Sequence, residues 1–488
     1  MKNSQVNTKI SMMMDFYSAA AAAHAFDGEA PDERIVWFDL SFRKDPRLGG
    51  FCVTAGLEQA AQALEELSFD EEELSYLSEQ GCPAAFTDYL RNMRFSCDIW
   101  AVPEGTPVFP NEPVVKVRGP AIQTLLIETL LMQTMNYQSL IATKASRIVR
   151  AAQGRRVVEF GARRAHGASA AVCGARAAYI GGCAGTTCVE AAMTLSIPRY
   201  GSMTHNFVEM FDSEYEAFKA YAKAFPDQCV LLIDTFGALR SGLPNAIRVF
   251  DEVLAPMGKR PVGVRIDSGD LAYLSKRVRR TLNEAGYPDC DVIASNALDE
   301  HIIAEMIRNG ARVDTFMVGE KLITGGDVSY FPGVYKLVAR ETDGKAEPVL
   351  QLSENVSKIV TPAPKLLWRL YDMETGKAVA DLLTTEDEDV SQEKEYKLFD
   401  PDYTWKKKTV TNFVARQLLT PVFEDGECVY RFPSLDEIRS YCAQQTDALW
   451  EEVLRFEYPH NYYVDLSQKL WDIKNGLIEK LRSDAAAE

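Results

Sequence analysis

The sequence predicts an α/β protein built on an irregular β/α barrel, with a separate N-terminal α/β domain and a C-terminal extension. Three observations carry that expectation. Short, apolar, β-branched runs recur between Arg156 and Val338 with helix-like segments between them, the pattern of parallel βα units. One such run, Val262 to Leu271, ends in Arg265, Asp267, Ser268, Gly269 and Asp270. Charge at the end of an otherwise apolar strand marks the mouth of a βα unit, where ligands sit in open and closed parallel sheets alike. The segments before residue 146 and after residue 340 follow other patterns.

Residues 1–145 carry antiparallel signals at Ile35–Phe42 and Asp98–Val108, turns at Gly105 and Pro110, and a helical stretch over Gln123–Met135. In residues 146–340 the expected strands are Val157–Phe160, Arg199–Met203, Val230–Asp234, Gly263–Asp267, Asp291–Ser295, Thr315–Gly319 and Tyr335–Val338, with Tyr179–Gly182 as a further candidate. Leu271–Arg280 reads as the helix after the charged strand end. Seven or eight units over this length suit a closed barrel better than an open sheet. Residues 341–488 hold a charged hairpin region, the acidic run Glu386–Asp389, expected as a solvated loop, and a helical tail patterned on Trp450, Val453 and Leu454, then Leu466, Leu470, Ile473 and Leu477.

Composition bounds the function. At 488 residues, 47% hydrophobic and 25% charged, the chain has length for two or three domains with ample core. A net charge of -17 argues against nonspecific binding to nucleic acid or an anionic membrane, so an anionic substrate must meet a local basic patch. Such a patch lies between Lys144 and Arg176, where Lys144, Arg147, Arg150, Arg155, Arg156, Arg163, Arg164 and Arg176 accompany a single acid, Glu159. A solvated helix face accounts for Arg147–Arg156 as readily as function does, but less well for Arg163 and Arg164, which follow a strand. Ten cysteines without a CxxC pair or zinc spacing read as reduced thiols of a cytoplasmic protein. The Ala-rich segment Ser18–Ala25 is interrupted by polar residues in and around it, and Gln123 and Glu128 break the longest apolar stretch, so neither a signal peptide nor a spanning helix is expected.

Polar groups at the strand ends are the candidate chemistry: Arg163 with Arg164, Ser202 with Thr204 and His205, Asp234 with Thr235, Asp267 with Asp270, Ser295 with Asn296, and Gly319. On a barrel they converge on one rim. Period-two alternation puts Arg265 and Asp267 on one face. His205 is the one histidine of five that directly follows an expected strand. From the residues alone, a hydrolase using Asp267 and Asp270 as acid and base stays open.

The ordered segments Asp15–Tyr17, Phe42–Lys44 with Gly49–Phe51, Glu159–Arg164, Gly201–His205, Asp234–Thr235, Arg265–Leu271, Ser295–Glu300 and Gly333–Leu337 together resemble the nicotinate phosphoribosyltransferases. The likeness runs nearly end to end, and Leu419–Phe423 and Leu466–Trp471 are similar to that family's C-terminal extension. The resemblance implies a type II phosphoribosyltransferase: nicotinate and phosphoribosyl diphosphate give nicotinate mononucleotide and diphosphate, with ATP hydrolysis coupled, in NAD salvage. It implies that His205 is transiently phosphorylated, that Phe160 and Tyr17 sandwich the pyridine, and that Tyr17 comes from the second subunit of a homodimer. Residues 1–145 would then contribute to the partner's site, 146–340 form the catalytic barrel, and 341–488 pack back on the N-terminal domain. By the same resemblance Arg163 and Arg265 surround base and phosphate, Asp234 and Asp267 position ribose hydroxyls or Mg²⁺, and Asp270, Ser295, Asn296 and Gly319 complete the substrate site. Mg²⁺ is expected to be held through the diphosphate.

The nicotinamide-using relative has an aspartate near Gly185–Thr187, which would repel a carboxylate, so Thr187 favours nicotinate over nicotinamide. A second basic cluster suited to quinolinate is not apparent, and a non-catalytic barrel would leave the polar rim unexplained. One departure stands out. Phe316–Glu320 replaces the family's Phe-Gly-x-Gly-Thr, so Met317 and Glu320 either leave a phosphate nest intact through Gly319, with Glu320 turned towards Lys321, or weaken it.

Overall fold

The computed structural model describes residues 9–24, 26–27, 30–31, 34–355 and 358–487. The chain divides into two compact units, residues 140–329 and residues 1–139 with 330–488.

Residues 140–329 form the βα unit. The elements that frame its site are β1 (Arg156–Glu159), α1 (Ala168–Ile180), β2 (Gly185–Thr186), α2 (His205–Glu209), β3 (Val230–Leu232), β4 (Gly263–Ile266), α3 (Leu271–Glu284), β5 (Asp291–Ala294), α4 (Glu300–Arg308) and β6 (Thr315–Val318), with further helices at Val189–Leu195, Glu214–Ala224, Leu243–Val249 and Glu320–Ile323. The strands pair in the order β3-β4-β5-β6-β1-β2, all parallel, as a curled half-barrel. Every residue of β4 and β6 is buried, because helices cover one face and the curl encloses the other. Alternation sorts the side chains. Leu231, Val264 and Val292 pack outward with Phe218, Phe250, Val278 and Leu282, while Val158, Val230, Ile293 and Met317 fill the inner face with Phe160 and Tyr200.

Three expectations for this unit change. Arg199–Met203 contributes only one parallel bridge, Thr186 to Arg199, and no ladder joins β2 to β3 among the described residues. Side chains hold that edge instead, since Arg265 donates to Ser202 Oγ (2.8 Å) and to the Met203 carbonyl (3.3 Å). Tyr179–Gly182 is the end of α1 and its turn; the strand lies just beyond, at Gly185–Thr186. Tyr335–Val338 is indeed extended, but as part of Gly333–Thr342 it pairs antiparallel with Ile35–Phe42 in the other unit.

That other unit is built on a seven-stranded sheet whose centre pairs Gly333–Thr342, Ile35–Phe42, Val115–Pro120 and Asp98–Ala101 antiparallel. The Phe38 and Tyr335 rings stack across it at 4.6 Å. A four-stranded sheet of residues 413–417, 365–372, 378–385 and 464–466 carries the C-terminal part. Inside it Arg369 grips Asp381 with two hydrogen bonds of 2.8 and 2.6 Å, both side chains being buried. The acidic run is the exposed loop expected, with Glu386, Asp387 and Asp389 exposed, and it is tied down where Glu386 pairs with the buried ammonium of Lys116 at 2.6 Å and Glu388 accepts from Thr385 and Ser467. The expected helix Gln123–Met135 is divided between Ala121–Leu126 and Glu128–Ala151. In the tail, Leu466 ends a strand and Leu470 is buried in helix Gln468–Ala487, whereas Trp450–Leu454 forms turns after helix Leu435–Asp447.

Candidate active site

The carboxyl ends of the half-barrel strands carry a connected polar network. Arg265, on β4, is 4% exposed and holds an array of acceptors: Ser202 Oγ, Ser295 Oγ at 3.0 Å, and Asp267 Oδ2 at 3.3 Å. Burial pulls its guanidinium pKa down, and the nearby Asp267 and Asp234 carboxylates oppose that pull. Ser295 closes the circuit by donating to Asp267 Oδ1 in a short hydrogen bond. Asp234, just beyond β3, accepts the Asp267 backbone N–H (2.9 Å) and the Ser268 hydroxyl (2.5 Å) on Oδ2. Its Oδ1 is buried and has no hydrogen-bond partner. An unpaired carboxylate oxygen in a dry site is costly, so a ligand atom that engages it gains that energy.

His205 opens α2, where Thr204 caps the helix by accepting the Phe207 N–H. Its Nδ1 lies 3.1 Å from Thr235 Oγ1, and its Nε2 lies 3.7 Å from Asp267 Oδ2 and 4.0 Å from Asp234 Oδ1. The ring is therefore oriented by Thr235 and faces two carboxylates, while its side chain stays 37% exposed and open to a reactant.

Phe160 follows β1 and supplies a flat apolar face. Arg265 and Arg163 place their guanidinium carbons 5.0 and 5.3 Å from its ring centre. The backbone beneath is tightly fitted: a Cβ on Gly161 would meet Ile323 at 2.6 Å and the Gly319 carbonyl at 2.9 Å. Phe160 N–H donates to the Val318 carbonyl at 2.8 Å, which ties β1 to β6 at the rim. Asn296 and Ala297, after β5, both take positive φ (97° and 42°), backbone strain concentrated beside Ser295. Gly269, at φ 79°, makes the turn that brings Asp270 to the start of α3, where Asp270 Oδ1 accepts the Tyr273 N–H at 2.9 Å.

The rim thus brings together Phe160, Arg163, His205, Asp234, Arg265, Asp267 and Ser295. Thr187 sits half-buried beside it, its N–H donating to the Glu159 carbonyl at 3.1 Å. Asp270 is an exposed helix cap, and Tyr17 is 63% exposed in helix Phe16–His24 of the other unit. The basic stretch splits up. Lys144 and Arg147 both pair with the buried Glu300 at 2.7 Å, so Arg147 is no solvated helix face.

Glu159 was not among the expected site residues, yet it is fully buried at the end of β1, accepting from Thr186 Oγ1 at 2.5 Å and from the Gly161 N–H. Burial pushes its carboxyl pKa up, and the two hydrogen bonds work against that shift. The signal was present: a carboxylate ends an apolar strand at Glu159, as a guanidinium does at Arg265.

Comparison with known proteins decides the family. Residues 12–136 match the model of the nicotinate phosphoribosyltransferase (NAPRTase) N-terminal domain, and residues 364–474 match that of the nicotinate phosphoribosyltransferase C-terminal domain. The chain is 42% identical to the nicotinate phosphoribosyltransferase of Bacillus subtilis, over 92% of each chain. The chain belongs to the nicotinate phosphoribosyltransferase family. Similarity extends to the human nicotinate phosphoribosyltransferase, at 29% identity over 96% of each chain. The crystal structure of human nicotinic acid phosphoribosyltransferase superposes with a TM-score of 0.82 at 27% identity, covering 96% of this chain and all of that one.

In this member of the nicotinate phosphoribosyltransferase family the Phe316–Glu320 departure has a plain structural consequence. Met317 is buried among Val158, Val230 and Ile293, so it fills the inner core where a glycine would leave a void. Lys321 reaches Asp299 Oδ2 at 2.5 Å, so its direct partner is Asp299 and not Glu320.

Proposed function

We propose that this protein transfers the 5-phosphoribosyl group from phosphoribosyl diphosphate to nicotinate, giving nicotinate mononucleotide and diphosphate for NAD salvage, with ATP hydrolysis coupled. The observation that carries the reading is the Phe160 ring flanked by Arg265 and Arg163 at 5.0 and 5.3 Å, a seat for a flat aromatic acid. A guanidinium pairs a carboxylate through parallel hydrogen bonds, and stacking on the ring holds the pyridine flat.

In this reading the pyridine nitrogen of nicotinate forms a bond to ribose C1 as the C1–O bond to diphosphate breaks, and the electron pair leaves with the diphosphate. No protein base is needed, because the ring nitrogen already carries its lone pair. Positive charge builds at C1, and the Asp234 and Asp267 carboxylates stabilise it or hold the ribose hydroxyls. Ser295 and Arg265 keep Asp267 in place. The residues fit a Mg²⁺ ion that arrives on the diphosphate: Asp234 Oδ1 is buried and unpartnered, and the described residues contain no cluster of three His, Cys, Asp or Glu side chains able to cage a metal alone. Bound there, Mg²⁺ would supply neutralisation of the leaving charge.

His205 takes the γ-phosphoryl group of ATP on a ring nitrogen, releasing ADP, and later loses it to water. The phosphorylated ring adds anionic oxygens beside Asp234 and Asp267, which changes how the rim holds diphosphate. Thr187 favours nicotinate over nicotinamide, having no charge to repel a carboxylate. The exposed Phe16 and Tyr17 are supplied to the site of a second copy in a homodimer, Tyr17 covering the free face of the pyridine. A cytoplasmic location is part of the same reading. No helix among the described residues is long and apolar enough to cross a membrane. Hydrolysis by an Asp267–Asp270 pair is less favoured, because Asp270 already caps α3.

The test is release of nicotinate mononucleotide and diphosphate from the purified protein with phosphoribosyl diphosphate and Mg²⁺, comparing nicotinate with nicotinamide, each with and without ATP. Product from nicotinate that rises with ATP is the expected result. Product from neither base overturns the reading.

A further inference from the structure

At the amino ends of β1 and β6, opposite the rim, the chain lines a cleft of about 890 Å³. Its walls are the turn before β1, the second half of α3 and the turn before β6. Five cationic side chains line it: Arg155, Lys276, Arg279, Arg280 and Arg312. Only two carboxylates accompany them, Glu284 and Asp314. In a chain of net charge -17 such a local excess of positive charge runs against the background.

The cations are held in two ways. Arg279 donates to the Pro288 and Cys290 carbonyls and to Asp314, and Arg155 donates to the Val313 and Ala152 carbonyls, so these guanidiniums form a fixed floor. Asp314 accepts from Arg279 and from the Val292 N–H, both on Oδ2. Arg280 and Arg312 are exposed at the mouth, and the nearest carboxylate to Arg280 is Glu284 at 4.0 Å. No aromatic side chain lines the cleft, so it offers charge and hydrogen-bond donors but no seat for a base.

We propose that this cleft binds a short chain of phosphates, as inorganic oligophosphate or as the tail of a nucleoside triphosphate, read through its charge alone. The site is separate from the rim: α3 runs from Asp270 at one end to Glu284 at the other, ~20 Å of helix. Concave shape and limited volume select a compact polyanion, and the acidity of the chain as a whole disfavours an extended nucleic acid.

The experiment is isothermal titration of the full chain with sodium tripolyphosphate and, separately, with ATP, at low and high salt. Because the proposed rim also takes ATP and diphosphate, the cleft is read as the binding event that differs between the parent and a variant of its own lining residues, a difference that stands whatever reaction the rim carries out. The double variant Arg280→Gln with Arg312→Gln is expected to weaken tripolyphosphate binding by ~10- to 100-fold or to remove one binding event, with the melting temperature unchanged. Arg280→Lys with Arg312→Lys keeps the charge and should keep most of the affinity, while Glu284→Gln should tighten it. The binding event that the Gln double variant loses should weaken as salt rises, and that event should take ATP about as well as tripolyphosphate. Identical affinity and stoichiometry in the Gln double variant would overturn the proposal. So would ATP binding here far more tightly than tripolyphosphate, or a single-stranded oligonucleotide outcompeting both.

Discussion

Thr186 Oγ1 donates a 2.5 Å hydrogen bond to Oε2 of Glu159, whose other carboxylate oxygen accepts the Gly161 N–H. One buried side chain thereby joins the turn after β1, which carries Phe160, to the segment that carries Thr187. Thr186 Oγ1 in turn accepts the Cys188 N–H at 2.9 Å, so the clamp reaches into the next loop.

Glu159 is accordingly a positioning residue. Glu159→Ala strands the Gly161 N–H and the Thr186 hydroxyl in a buried site, with an expected loss of about 2–4 kcal/mol of stability and a several-fold rise in KM for nicotinate. Glu159→Gln keeps an acceptor and should recover most of both. Steady-state kinetics with a denaturant melt on each variant checks this; an unchanged KM in Glu159→Ala would remove the positioning role.

His205 is oriented by Thr235 and exposed towards solvent, which suits a group that is modified and released. In His205→Ala the stimulation by ATP should vanish while ATP-independent product formation persists at a reduced level. Acid-labile radiolabel from γ-labelled ATP should appear on the parent protein and be absent from the variant.

Substitution Thr187→Asp places a carboxylate beside the seat of an anionic base. The expected outcome is a KM for nicotinate raised by roughly tenfold or more, about 1.4 kcal/mol, with a smaller effect on nicotinamide. Equal use of nicotinate by parent and variant would show that discrimination arises elsewhere.

Away from the rim, Asp465 lies buried in strand Val464–Leu466, and burial, with Asp400 adding and Lys408 opposing, raises its pKa to about 7. Its folded-state pKa is above the unfolded value, so its neutral form is favoured on folding and stability falls as pH rises through the window from about 4 to 7. Asp465→Asn should match the parent near pH 4 and exceed it by about 2–4 kcal/mol at pH 8, read from thermal melts at both values.

Much of the rim was legible in sequence because charged and polar residues stand at the ends of apolar strands. Arg265, Asp267, Asp234 and Ser295 were found that way, and the structure joins them in one network. The same rule overlooked Glu159, hidden by a basic neighbourhood that drew attention to its arginines. Asp270, expected in the substrate site from the family resemblance, is the exposed cap of α3, where the start of a helix presents unpaired backbone N–H groups.

Sequence by itself determined the family likeness, the parallel βα repeat and the identity of the strand-end polar residues, since these depend on local pattern and ordered motifs. Tertiary structure decided which partners those residues have. Strand Gly333–Thr342 reads like another barrel strand, but its hydrogen bonds go to Ile35–Phe42, because a backbone pattern specifies a strand and not its neighbour. The basic stretch likewise dispersed to Glu300, to the rim and to the cleft at the opposite end of the sheet, because in a parallel half-barrel residues a few positions apart emerge at different ends.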